Sequence, residues 1–206
     1  DVYKRQVIQN GTVRWTDELR GQPPLALSAL NFVARNSLRS HLLRLDASPP
    51  PEWGQAFSLI ANLREPLIDL GQDPRDRAPW HNWSGELYAD FPAIDVSRLK
   101  GHVDLSDWGV EVRTGLGKLR AWGDLERGQL AGLTADLGLK DVATRLGTGL
   151  PELALDSVEG RLASTWSAEG FELSTDNLAF RTRDGLAWPG GKVRLRHDNL
   201  SLIHIS

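Results

Sequence analysis

The sequence predicts a mainly β protein, a mostly antiparallel meander sheet whose strands pair in chain order, with one short helix near 95–104. Three observations carry this. Apolar and polar residues alternate with a period of two through most of the chain, as in strands with one dry and one wet face. Clusters of Gly, Pro, Asn and Asp interrupt the alternation where turns belong. Only one window, opening at Asp95, repeats its apolar residues at three and four.

Val7 to Trp15 alternates as the first strand; Asn10-Gly11 is a turn signal, but the pattern runs through it, so a bulged strand is an equal reading. Asp17-Glu18 and Gly21-Gln-Pro-Pro24 follow as a loop. Leu25, Leu27 and Ala29 share one face and Leu30, Phe32 and Ala34 the other, which predicts a bulge near Ala29. Asn36-Ser37 turns the chain, His41, Leu43, Leu45 and Ala47 line the return strand, and Pro49-Pro50-Pro51 stops it. Trp53, Phe57, Leu59, Ala61 and Leu63 make the next strand, and Glu65 to Pro79 is a polar loop. From Trp83 the alternation resumes through Leu87 and Phe91. Asp95 then caps the helix, with Val96, Leu99 and Val103 on one stripe and Gly101 a possible early end.

Gly115 to Lys140 is the clearest element, a hairpin with limbs of about ten residues, longer than the usual strand of roughly five or six. Gly117, Leu119, Ala121, Gly123 and Leu125 form its apolar face on one limb, and Ala131, Leu133, Ala135, Leu137 and Leu139 on the other, with Gly128 at the turn. After a loop at Gly147 to Pro151, Leu153–Trp166 and Phe171–Phe180 form a second long hairpin through Ser167–Gly170. Asp184-Gly185 and Trp188-Pro-Gly-Gly191 lead to a last strand with Val193 and Leu195. On periodicity alone a sandwich or barrel comes first, because apolar faces must be covered.

Composition excludes several function classes. A net charge of −3 on 206 residues leaves no basic excess for phosphate backbones, so nucleic acid is not an expected partner. Without cysteine there are no disulfides or thiolate metal sites. No apolar run approaches the roughly 20 residues of a membrane span. Methionine is absent even at position 1, which predicts an internal fragment. Residues 1–6 and 201–206 look like non-native terminal scars, leaving 7–200 as a single segment of a larger protein.

No catalytic constellation emerges, so no enzyme activity and no cofactor are expected. His41, His81, His102 and His197 are isolated and lack the spacing of a zinc site; His41, on an apolar face, reads as a structural histidine. Gly115-x-Gly117-x-x-Arg120 lacks the third glycine of a dinucleotide loop and runs into a strand. The pairs Asp17-Glu18, Asp104/Asp107 and Asp124/Glu126 fall on turns and polar faces, where solvated roles dominate. Eight tryptophans, mostly near strand ends, fit amphipathic rings sealing the rims of a sheet, with sugar stacking as the alternative.

Several stretches, in order, resemble one family. They are Val13-Arg-Trp15-Thr-Asp17-Glu18, His41-x-Leu-x-Leu-x-Ala47 ending in Pro49-Pro50, Trp83-Ser-Gly-Glu-Leu-Tyr88, Gly115-x-Gly-x-x-x-x-Trp122 and Phe180-x-x-x-Asp184-Gly-x-x-Trp188-Pro189. Between Val7 and His197 the chain is similar to the central region of the YhdP proteins, of the AsmA-like superfamily of Gram-negative bacteria. The resemblance implies an elongated, curved sheet forming an open groove, like that of the repeating-β-groove, chorein-like bridges. It implies the periplasmic part of an inner-membrane-anchored protein, with phospholipid as partner and membrane contacts only through parts missing from this fragment.

On that reading the groove lining is the odd-numbered apolar set Leu43, Leu45, Phe57, Leu59, Leu87, Phe91, Leu119, Leu125, Leu133 and Leu137. The alternatives are a glycan-binding module and a purely architectural β-sandwich.

Overall fold

In the computed structural model the alternation becomes a single sheet; the structure describes residues 4–16, 24–67, 82–99, 111–145, 151–167, 170–198 and 202–205. The strands are β1 (Lys4–Trp15), β2 (Leu25–Ser37), β3 (Ser40–Ser48), β4 (Phe57–Arg64), β5 (Ser84–Asp95) and β6 (Glu111–Glu126), with helix α1 (Val96–Leu99) between the last two. They continue as β7 (Gln129–Arg145), β8 (Leu153–Ser167), β9 (Gly170–Thr182), β10 (Ala187–Trp188), β11 (Arg194–Asp198) and β12 (Leu202–Ile205). Eleven strands run across the sheet in the order β1 to β9, then β11 and β12, while β10 pairs with β9. The described pairings are antiparallel, and β1 and β12 end the path without meeting, so the sheet is open rather than a barrel.

The bulges fall where the alternation changed phase. Ala29 has φ 48°, and the β2–β3 register shifts between Ser28 and Asn31, which brings Phe32 opposite Leu45. Asn10, with φ 51°, sits in a bulge of β1 and not in a turn. In the β6–β7 hairpin Glu126 pairs with Gln129, so Arg127 (φ 50°) and Gly128 (φ 73°) form a two-residue turn with both central residues left-handed. That geometry matches the right-handed twist of the limbs. The hairpin is longer than Gly115 to Lys140, because pairing continues to Glu111 and Arg145.

Some expectations are corrected. The β2–β3 turn is Leu38-Arg39 and not Asn36-Ser37, since Ser37 still pairs with Ser40. Trp53 precedes β4 rather than belonging to it: its N–H donates to the Pro50 carbonyl, and its own carbonyl accepts from Asp95 N–H. Leu130, not Ala131, takes the apolar face of β7, because a register shift beside Asp124 puts Leu130 opposite Leu125. The last strand begins at Arg194, after Val193, and is followed by β12. Asp95 caps α1 as expected, accepting from the Ser97 N–H at 3.0 Å. Helix is described only for Val96–Leu99, and 100–104 lies outside the described residues. So do most of the loops expected at 17–24, 65–79 and 147–151.

At both ends pairing enters the segments read as scars: Lys4, Arg5 and Gln6 pair with Asn36, Arg35 and Ala34, and β12 pairs with β11.

The second layer that periodicity demands is absent among the described residues, where strands pair only with their sheet neighbours. Accessible surface is 14568 Å² for 22.8 kDa, against roughly 9,600 Å² for a compact monomer of that mass. A small core does form at one end of the apolar face, from Ile94, Val96, Leu139, Val142 and Leu155, with Phe91, Leu119 and Phe180 packed against it. Val96 brings α1 into this cluster, and an isolated bridge from Gly54 to Ile94 ties the segment before β4 to the same place.

Candidate functional site

Cross-strand register turns the apolar alternation into continuous rows. Leu45, Leu59, Ala89, Ala121, Ala135 and Leu162 are successive neighbours on β3 to β8. Beside them run Leu43, Ala61, Leu87, Gly123 and Leu133. Large side chains stand at the flanks of these rows and small ones in the middle, so the face is hollowed where β5 and β6 meet. The result is a concavity of about 500 Å³, within the roughly 300–1,000 Å³ typical of ligand sites.

Five of the ten expected residues line this concavity: Leu43, Leu45, Leu59, Leu87 and Leu133. The other five lie on the same side of the sheet but elsewhere. Phe57 and Phe91 stack on each other with ring centroids 5.2 Å apart. Phe91 and Leu119 lean on the core under α1. Leu137 pairs with Leu119, and Leu125 with Leu130, at positions flanking the concavity. All ten are partly buried, neither sealed in a core nor fully in water.

Phe32 and Leu130 also line the hollow and were not in the expected set. Both have even numbers. The change of phase at Ala29 was the signal for Phe32, whereas the one-residue shift that turns Leu130 inward left no mark in the alternation.

One rim of the apolar face is polar. His41 contacts Asn36 Oδ1 through Nδ1 at 3.1 Å and Glu65 Oε1 through Nε2 at 2.8 Å. Its ring stacks on Trp83 at 4.0 Å with an interplanar angle of 5°. Both ring nitrogens therefore have partners, as a structural histidine requires. Among the described residues no group of His, Asp and Glu is arranged to hold a metal ion.

The opposite face is a ladder of charge. Asp46, Ser58, Asp90, Arg120, Asp136, Arg161 and Asp176 are consecutive cross-strand neighbours. Arg161 binds Asp136 through two hydrogen bonds, of 2.6 and 2.9 Å, and Arg44 does the same to Asp46 at 2.7 and 3.1 Å. The guanidinium hydrogen bonds hold both carboxyls below their ordinary range, with Ser58 adding to the effect at Asp46. Trp122 lies on this face, with the Arg161 guanidinium 5.7 Å from its ring centroid and Tyr88 5.6 Å away. One side of the sheet is thus suited to water and the other to hydrocarbon.

No helix among the described residues is long and apolar enough to cross a membrane. The family model described as YhdP protein matches residues 3–205. No curated protein and no solved structure matches the chain.

Proposed function

Because the chain belongs to the YhdP family, we propose that it is a non-enzymatic segment of a periplasmic lipid conduit, carrying phospholipid acyl chains along its apolar face between inner and outer membrane. The observation that supports this most is the hollow lined by Leu43, Leu45, Leu59, Leu87 and Leu133 on an open sheet, with no second layer over it among the described residues. Hydrocarbon leaving a bilayer exposes surface costing about 0.8 kcal/mol per methylene, so a chain of roughly sixteen carbons faces about 12 kcal/mol. An apolar trough offsets most of that without any single tight site. Rows of leucine and alanine running from strand to strand suit this, because a sliding chain meets similar surface at each step. Eleven strands at about 4.8 Å spacing span roughly 50 Å, longer than an acyl chain and shorter than the conduit proposed.

The test is native mass spectrometry of the purified chain. Wild type is expected to carry phospholipid. Leu133→Asp with Leu137→Asp should abolish it, and so should Ala121→Trp, which fills the hollow without adding charge. Lipid-free wild type, or lipid retained in every variant, would overturn the reading.

A further inference from the structure

A second cleft, of about 530 Å³, lies on the charged face near the β8–β9 end of the sheet, between Lys118, Lys140 and Arg181. Register explains its shape. Lys140, Ser157, Arg181 and Ala187 are consecutive cross-strand neighbours on β7, β8, β9 and β10. The adjacent row is Lys118, Gly138, Glu159 and Ala179. Gly138, Ser157, Ala179 and Ala187 give a low floor, and long cationic side chains stand around it.

Gly138 has a particular part in this. A Cβ there would come within 2.5 Å of Lys118 Cε, so its absence lets the lysine stem lie across the sheet. Trp188 pairs with Phe180 and so shares the apolar face, its indole against Gly191 and turned away from the cationic rows.

The electrostatics of the cleft oppose those of the chain. Three cations surround it against one carboxylate, Glu159, on a protein of net charge −3. Lys118 reaches Glu159 only at 3.9 Å, with both side chains largely in water, a weak pair. Elsewhere on this face Arg44, Arg120, Arg161 and Lys192 all have acidic partners, but Lys140 and Arg181 have none among the described residues. Two strand spacings put their backbones roughly 10 Å apart, close enough for both side chains to converge on one tetrahedral anion.

We propose that this cleft binds a phosphate ester. Lys140 and Arg181 grip the phosphoryl oxygens, and Lys118 adds charge from the side. The site is on the face opposite the apolar hollow and does not depend on the lipid reading.

Titration calorimetry of the chain with glucose 1-phosphate, inorganic phosphate, and vesicles of phosphatidylglycerol or phosphatidylcholine tests it. Glucose 1-phosphate should bind saturably, and Lys140→Gln with Arg181→Gln should weaken it at least tenfold while circular dichroism stays unchanged. Glu159→Gln should tighten glucose 1-phosphate and inorganic phosphate about threefold, whereas Trp188→Ala, on the other face, should leave both unchanged. Vesicle binding confined to phosphatidylglycerol and lost in the same double variant would make a lipid headgroup the source of the phosphate; a response to glucose 1-phosphate alone would make it a soluble ester. No saturable binding of either, or affinity unchanged in the double variant, overturns the site.

Discussion

Gly117 leaves the least room for change. Its φ is 155°, and a Cβ would come within 2.0 Å of the Gly138 carbonyl oxygen, where backbone on both sides prevents relief. Gly117→Ala is therefore expected to cost about 2–4 kcal/mol, in the range of severe single substitutions, read as a lowered midpoint in urea unfolding; a midpoint within error of wild type would show that the two strands can separate at that point. Trp122 illustrates a different limit at this scale. Composition allows its indole to be a sugar platform or a packing residue. With Arg161 5.7 Å from the ring centroid and Tyr88 beside it, packing is the better supported reading.

At the scale of elements, alternation located most strands and even the bulge at Ala29, because a bulge flips the parity of every residue after it. Turns were read less well. Asn36-Ser37 carries turn chemistry, yet the chain turns at Leu38-Arg39, since pairing with β3 keeps Ser37 in the ladder. The β6–β7 turn offers a check. Arg127 occupies a left-handed conformation at φ 50°, a placement that costs an ordinary L-residue roughly 1–2 kcal/mol and that asparagine tolerates better. Arg127→Asn should accordingly raise stability by about 0.5 kcal/mol, seen as a higher thermal midpoint with an unchanged far-ultraviolet spectrum. Destabilisation would mean that Arg127 makes contacts worth more than its strain.

For the whole molecule, the charge ladder sets the response to acid. Asp46 and Asp136 have carboxyl pKa values lowered in the folded state, chiefly by hydrogen bonds from Arg44 and Arg161. A lowered folded pKa means stability that is fully present above the unfolded value, near 3.8, and lost as pH falls through the folded one. Thermal midpoints should hold from neutrality to about pH 5 and then drop. Asp136→Asn should lower the neutral midpoint and flatten that drop; an acid limb of unchanged slope would assign the loss to other carboxylates.

Within one strand, the residues themselves determined which side chains share a face, because parity is a local property of extended backbone. Thus Leu43 with Leu45, Leu87 with Phe91, and Leu133 with Leu137 were legible as apolar pairs before any coordinates. Only the tertiary structure decided which strand faces coincide, that Phe32 and Leu130 join them, and that no second layer among the described residues covers the hollow. It alone brought Lys140 beside Arg181. Those outcomes depend on register between strands far apart in the chain, where a shift of one residue exchanges the dry side for the wet one and leaves the alternation within each strand intact.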